Sequence, residues 1–375
     1  MAVAQRLQSV IRPGDVIARF GGDEFAVLCD LSGPEAQQQA VHVAERLIDV
    51  IHQPFALAGD EVFLGASIGI ALASTGDERP ESLLRDADAA MYRAKERGKG
   101  RWELFDEDMR ASALRRLELE NALHRAVERE EFRLFFQPVF DIATGTCVGA
   151  EGLVRWQHPE RGLIPPGEFI TLSEETGLIV PIGGWVLNEA CAQAAAWLED
   201  RNVDAPFAVS VNLSARQLAQ VDLVDRVREA LEKHQLSPTA LCLEITESVL
   251  MEDAEWAIGS IRALRNLGVK LSIDDFGTGY SSLGYLKRFP VDSVKIDRSF
   301  VDGLGTDPED SAIVAAVVSL GHALGLEVVA EGVETEQQLD ELRDLGCESA
   351  QGFLFAPPQP APDVEQMITR GRWRR

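Results

Sequence analysis

The sequence predicts an α/β protein: a TIM-type (β/α)8 barrel with one antiparallel strand, preceded by a partial α+β unit. Three observations predict it. From residue 207 onward, short β-branched runs alternate with longer stretches whose apolar residues recur at helical spacing, the beat of a βα succession. Two earlier strand patterns are joined by Ala143-Thr144-Gly145-Thr146, a turn too short for a helical crossover, so they pair antiparallel. Residues 1–106 follow a different order, with a hairpin pattern first and helices and strands mixed behind it.

In the N-terminal unit, residues 16–29 read as a hairpin around Gly21-Gly22, 35–52 as a helix, 62–73 as a strand region and 81–97 as a helix. A charged stretch over 107–131, with Leu114, Leu117, Leu119 and Leu123 among Arg and Glu residues, predicts a helix joining the two units. Placing the boundary inside it gives a partial domain at 1–106, a linker helix at 107–125 and the barrel at 126–375. Barrel strands are expected at 132–141, 147–156, 207–214, 241–247, 270–276, 293–300, 327–334 and 349–355. Eight strands is the number that closes a TIM-type barrel. Helices are expected between them at 217–233, 254–267, 311–324 and 336–345.

At 375 residues and 46% apolar composition the chain can bury sizeable cores. Its formal charge of -25 excludes nucleic-acid binding by general phosphate attraction, which needs a basic surface. An anionic substrate would require metal ions to reverse the local field. The five cysteines form no Cys-x-x-Cys pair, which points away from a zinc cluster or a disulfide framework and toward the reducing cytoplasm. The apolar stretch 312–330 is broken by His322 and Glu327 and reads as a helix and strand rather than a membrane span. No signal peptide or membrane segment is expected in the chain, although a longer parent protein has room for a membrane tether. The basic end, 370–375, reads as a solvated tail.

The expected strands carry polar groups near their C-terminal ends: Glu151, Asn212, Glu244 and Glu247, Asp274 and Asp275, Lys295 and Asp297, Glu331 and Glu334, and Gln351. Singly, each acid is an ordinary loop residue or helix cap. On a barrel they converge on one rim, where several carboxylates repel one another unless cations sit between them. Asp274-Asp275 is the sharpest case, two adjacent acids followed by the glycine- and serine-rich segment Phe276-Gly277-Thr278-Gly279-Tyr280-Ser281-Ser282-Leu283. An oxygen-only donor set with one Asn and no His or Cys suits Mg²⁺ or Mn²⁺. Two such ions can clamp a phosphodiester and activate a water for in-line displacement, with Lys295 orienting that water or stabilising developing charge. The plainer reading of Lys295 is a salt bridge to Asp297 or to a rim carboxylate.

These residues resemble a known family. The region from about 120 to 370 is similar to the EAL family of cyclic di-GMP phosphodiesterases through Glu151-Gly152-Leu153-Val154-Arg155, Val211-Asn212-Leu213-Ser214, Glu244-Ile245-Thr246-Glu247, the 274–283 loop, Lys295-Ile296-Asp297, Ala330-Glu331-Gly332-Val333-Glu334 and Gln351-Gly352-Phe353. The resemblance implies hydrolysis of cyclic di-GMP to linear pGpG with two Mg²⁺ or Mn²⁺ ions. Glu151, Asn212, Glu244 and Asp274 would hold one ion, and Asp274, Asp275 and Glu331 the second. It gives Lys295 as the water-positioning lysine, Glu247 as the brace of the 274–283 loop and Gln351 as the neighbour of the attacked phosphate. Gln137, Leu153, Arg155, Asp297, Glu334 and Phe353 match dinucleotide-binding positions, with Arg155 as phosphate clamp. It also implies a homodimer formed through the barrel beside that loop. Gly152 departs from the family's alanine and would loosen the backbone beside Glu151.

The N-terminal unit resembles the GGDEF family of diguanylate cyclases through Arg19-Phe20-Gly21-Gly22-Asp23-Glu24-Phe25. Arg12-Pro13-Gly14-Asp15 matches that family's inhibitory product-binding motif, which implies a site at Arg12 and Asp15. The match begins in mid-domain, so an exposed sheet edge and no cyclase activity are expected. Two readings compete for the barrel: the phosphodiesterase, and a catalytically silent receptor for the same dinucleotide. Retention of the charged positions favours the enzyme.

Overall fold

The computed structural model describes every residue except 1, 32, 58–59, 74–78, 200–206, 253, 279–287, 371–372 and 374–375. The chain divides into two compact units, Met1–Leu119 and Glu120–Arg375, and the helix Glu107–Glu128 runs across their boundary.

In the first unit, β1 (Val16–Gly21) and β2 (Glu24–Leu28) form an antiparallel hairpin, β3 (Phe55–Leu57) and β4 (Asp60–Val62) a second one, and β5 (Ile68–Ile70) pairs in parallel with β6 (Trp102–Leu104). Strand alternation gives the first hairpin two faces. Ile17, Phe25, Val27 and Cys29 pack on a core of Leu7, Val43, Leu47, Ile51 and Phe55 supplied largely by the helix Ala36–His52. The opposite face leaves Val16, Phe20 and Leu28 exposed.

The second unit is a closed barrel. Strands β7 (Phe132–Asp141), β8 (Cys147–His158), β10 (Ala208–Asn212), β11 (Leu241–Thr246), β12 (Lys270–Phe276), β13 (Ser293–Ile296), β14 (Glu327–Ala330) and β15 (Ser349–Ala350) follow one another around it. Two short strands add to its edges: β9 (Gly162–Ile164) on β8, and β16 (Gln359–Pro360) on β7. The strand β7 runs antiparallel to both β8 and β15 and closes the ring, while the other barrel pairs are parallel. Alternation on β7 sends Phe132, Leu134, Phe136 and Phe140 outward into the helical layer. There Phe136 meets Trp197 edge-on at 4.8 Å and Phe132 lies 6.1 Å from Trp185, both on the helix Ile179–Glu199. Truncating a ring this buried costs about 3–5 kcal/mol.

Sequence cues explain the helix ends. Asp307 accepts a hydrogen bond from the Glu309 N–H, Pro308 opens the helix Pro308–Leu324, and Gly325 closes it at φ +71°. Thr335 and Gln338 form a reciprocal capping box at the start of Glu336–Leu345.

Several expected strands ran too long at their C-terminal ends. Asp297 has left β13 and caps the helix Arg298–Asp302, and Glu247 already begins the helix Glu247–Glu252. Gly332, at φ +70°, turns the chain out of the sheet after Ala330. The helix expected at 217–233 is two, Ala215–Leu218 and Leu223–Lys233, because a Ser214–Gln217 capping box starts a single turn before the longer helix. The terminal tail is not wholly solvated: Trp373 donates its backbone N–H to the Gly145 carbonyl at 2.8 Å and stacks edge-on with Phe355 at 4.9 Å.

Candidate active site

The adjacent acids on β12 should point to opposite faces of the sheet, and a bulge prevents it. Against β13 the register runs Ile273↔Val294 and then Phe276↔Ile296, so β12 carries one extra residue. Asp275 takes the left-handed conformation at φ +53°, sparsely populated for a non-glycine residue. Asp274, Asp275 and Glu331 each bring a carboxylate oxygen within 4.8 Å of the others as a result. Beyond the bulge, Glu247 Oε2 accepts the Gly277 N–H at 3.0 Å and Thr278 donates to the Asp275 carbonyl at 2.9 Å, fixing the start of the loop. Residues 279–283 of that loop lie outside the described residues.

The centre of the mouth is occupied by Lys295, 2% exposed. Its Nζ lies 2.7 Å from Glu244 Oε2, 3.2 Å from Glu151 Oε2, 3.3 Å from Asp274 Oδ1, and in direct contact with Glu331 Oε1. Of the two partners expected for a Lys295 salt bridge, the rim carboxylates take it and Asp297 does not. Asp297 Oδ1 instead accepts the Ser299 N–H at 3.0 Å, while its carboxylate faces Asp275.

Among the described residues, one ammonium against four carboxylates leaves an excess of buried negative charge. Burial alone would lower the Lys295 pKa, but Glu151, Glu244, Glu331 and Asp274 hold it well above the usual lysine range. Burial also opposes ionisation of Glu151, yet Lys295 and hydrogen bonds from Gln351 and Asn212 keep its carboxyl below the usual range. Glu244 is pushed well above that range, chiefly by burial and further by Glu151, Asp274 and Glu331. Burial, with Asp274 and Glu151 adding, raises Glu331 to about 8, and burial with Asp274 and Asp297 raises Asp275 to about 6. Such raised values mark acids that a divalent cation would return to the ionised state.

Two amides complete the floor. Asn212 Nδ2 donates to Glu151 Oε1 at 2.8 Å, and Gln351 Nε2 donates to Glu151 Oε2 at 2.7 Å and to Glu331 Oε1 at 3.0 Å. Gln351 Oε1 is buried without a hydrogen-bond partner among the described residues, so an acceptor remains for a water or a ligand. An oxygen-only donor set, surplus charge and an open acceptor together fit hard divalent ions.

The register of β7 on β8 places the residues around this floor. Gln137 lies opposite Glu151, Phe135 opposite Leu153 and Arg133 opposite Arg155, all on the face that Glu151 occupies. Gln137 donates to the Ala356 carbonyl at 3.1 Å, and the Arg155 guanidinium lies 5.6 Å from the Phe135 ring centre. Phe353 is 57% exposed, and Glu334 is held by Arg298 at 2.7 Å. Arg298 was not singled out from sequence; its place directly after Lys295-Ile296-Asp297 was the available signal. Gly152 leaves room for a methyl, since a Cβ there would lie 3.4 Å from the nearest Leu134 carbon.

In the N-terminal unit the Arg12 N–H bonds Asp15 Oδ2 at 3.0 Å and the Asp15 N–H returns to the Arg12 carbonyl, a tight turn. Arg19 closes the β1–β2 turn on the Gly22 carbonyl at 3.0 Å, with Gly22 at φ +50°. Gly21, Gly22, Asp23 and Glu24 are exposed there, and Phe25 is half-buried against the core.

A closed barrel of mostly parallel strands with one reversed strand, carrying a buried acid–lysine cluster at its strand ends, belongs to the class of TIM-type barrels, whose active sites are built at that face. Residues 120–358 match the family described as EAL domain, and the chain belongs to that family. Residues 1–101 match the family described as diguanylate cyclase, GGDEF domain. The chain is 48% identical over 362 residues to the bifunctional diguanylate cyclase/cyclic di-GMP phosphodiesterase MucR of Pseudomonas aeruginosa, covering 96% of this chain and 52% of the relative. It is 40% identical to the cyclic di-GMP phosphodiesterase NbdA of the same organism, covering 99% of this chain and 47% of that protein. It thus spans about half the length of these relatives. Among solved structures it resembles the PaMucR phosphodiesterase in complex with c-di-GMP, with a TM-score of 0.63 and 51% identity over 66% of this chain and 99% of the other. Among the described residues no helix is long and apolar enough to cross a membrane.

Proposed function

We propose that the barrel hydrolyses one phosphodiester of cyclic di-GMP to give linear pGpG, as part of a bacterial second-messenger circuit. The observation that carries this reading is the mouth itself, where Lys295 sits among Glu151, Glu244, Asp274 and Glu331 beside the Asp274–Asp275–Glu331 group. Membership of the EAL family and the names borne by two relatives support the substrate.

Mg²⁺ or Mn²⁺ ions, held by Glu151, Asn212, Glu244 and Asp274 and by Asp274, Asp275 and Glu331, supply Lewis-acid activation of phosphate and water when bound. The chain's own groups do the rest. Water oxygen bonds to phosphorus, the P–O3′ bond breaks, and a proton ends on the departing 3′ oxygen. The Lys295 ammonium orients the attacking water and offsets charge developing on the phosphoryl oxygens. Gln351 Oε1 accepts a hydrogen bond beside the attacked phosphate. Arg155 clamps a phosphate, while Gln137, Leu153, Asp297, Glu334 and Phe353 hold the dinucleotide. Glu247 braces the loop that follows Asp275, so geometry at Gly277 is transmitted to the second ion's ligands. Homodimerisation through the barrel and action in the cytoplasm complete the proposal. In the N-terminal unit, Arg12 and Asp15 form an inhibitory nucleotide-binding site in this reading.

The test is incubation with cyclic di-GMP and Mg²⁺ or Mn²⁺, with products resolved chromatographically beside a Glu151→Ala control. pGpG from the wild type alone is expected. Binding with intact substrate under both ions would instead make the barrel a receptor.

A further inference from the structure

Three separate segments meet on one side of the mouth, and a single side chain ties them together. Arg298 is the first residue of the short helix Arg298–Asp302, fixed by the Asp297 cap. Its Nη2 donates to Glu334 Oε1 at 2.7 Å, its guanidinium carbon lies 5.9 Å from the Phe353 ring centre, and its Nε lies 3.4 Å from Asp302 Oδ1. The aliphatic stem lies over Gly332, where a Cβ would come within 2.3 Å of Arg298 Cγ. Gly332 is thus required by close approach as well as by its φ of +70°.

Two of these partners, Glu334 and Phe353, lie on segments that are themselves bound to each other. The Val333 N–H bonds the Gln351 carbonyl at 3.0 Å, and the Leu354 N–H bonds the Val333 carbonyl at 2.9 Å. A Cβ at Gly352 would lie 2.1 Å from the Val333 carbonyl oxygen, so the backbones are in direct apposition. The Glu334 N–H is taken by Gln338 Oε1 at 2.8 Å. Backbone contacts therefore fix where Glu334 and Phe353 start, and Arg298 fixes where the Glu334 carboxylate ends. The result is an exposed aromatic face beside an oriented carboxylate.

We propose that Arg298 is a positioning residue for purine selectivity: by holding Glu334 beside Phe353 it sets a carboxylate to accept the N1–H and N2–H₂ edge of a guanine stacked on that ring. This rests on the phosphodiesterase reading. Guanine offers two donors on that edge, whereas adenine presents an unprotonated N1 that a carboxylate repels. A carboxylate released from Arg298 keeps its charge but loses its fixed direction, so it discriminates less while the metal-side chemistry is untouched.

The experiment compares wild type, Arg298→Gln and Arg298→Lys in steady-state hydrolysis of cyclic di-GMP and of its hypoxanthine analogue, which lacks the N2 amino group. Thermal unfolding is followed in parallel. For Arg298→Gln we expect KM for cyclic di-GMP to rise about fivefold, the low end of what a good bidentate contact to a base discriminates, with kcat within about twofold. The preference for guanine over hypoxanthine should fall by a similar factor. Arg298→Lys should lie between, because an ammonium can pair with Glu334 but lacks the planar fork. A fall in kcat or in melting temperature with the base preference unchanged would overturn the proposal and leave Arg298 a structural residue. A wild type that neither binds nor hydrolyses cyclic di-GMP would sink the phosphodiesterase reading itself, an outcome distinct from an active enzyme whose preference ignores Arg298.

Discussion

Replacing Lys295 with methionine tests the electrostatic account of the mouth most severely. The substitution preserves length and removes the ammonium that contacts Glu151, Glu244, Asp274 and Glu331. Breaking a buried ion pair from one side costs about 3–5 kcal/mol because the remaining charge stays buried. Glu244 and Glu331 already have raised pKa values and can take up protons when the ammonium is lost, so the lower end applies, about 3 kcal/mol. For a unit of this size, about 3 kcal/mol lowers the melting temperature by roughly 6–12 °C. Divalent ions should then stabilise Lys295→Met more than wild type, since they replace the missing positive charge. The assay is thermal unfolding at pH 7.5 with a chelator and with Mg²⁺, paired with hydrolysis, which should fall at least about 100-fold with the ion present. A melting temperature within a degree of wild type under chelator, with no extra gain from Mg²⁺, would show that Lys295 does not offset the charge of these acids.

The metal-free protein should lose stability as pH rises from about 5 to 8.5. Folded Glu331 and Asp275 have pKa values raised to about 8 and about 6, so their contributions are complete below the unfolded values and vanish as each acid ionises. Melting scans across that range check it, Mg²⁺ should flatten the slope, and a slope that rises with pH contradicts it. Gly152→Ala should raise the melting temperature by roughly 1–4 °C, since glycine costs about 0.5–1 kcal/mol in a strand and the added methyl meets only ordinary contacts. Hydrolysis should be unchanged, and loss of turnover in that variant would show that the backbone beside Glu151 needs the glycine. Glu247→Gln keeps the size but weakens the hold on the Gly277 N–H, so kcat should fall about tenfold, in keeping with the modest energy of one charged hydrogen bond; an equal rise in KM alone would argue against a brace.

The barrel's regular parts were legible because period and punctuation agree. The bounds of β7, β12 and the helix Ala254–Leu267 coincide with the apolar patterns at 132–141, 270–276 and 254–267. Strand ends at the mouth were harder, because acids such as Asp297 serve as caps or turns there and no local preference separates that from a continuing strand. The acids themselves were visible as a set. Their geometry was not: the bulge at Asp275 is a register relation with β13, and Lys295 reaches a partner, Glu151, 144 positions away. Arg298 escaped notice because an arginine on a short helix has no chemical signature until Glu334 and Phe353 are placed beside it.

The central claim is that this mouth cleaves a P–O3′ bond. Its most direct test is turnover of cyclic di-GMP with Mg²⁺ in ¹⁸O-labelled water, followed by mass analysis of the product. The expected result is pGpG carrying one labelled oxygen on its terminal phosphate and none on the 3′ hydroxyl. Quantitative recovery of unlabelled cyclic di-GMP from a protein that binds it would contradict the claim.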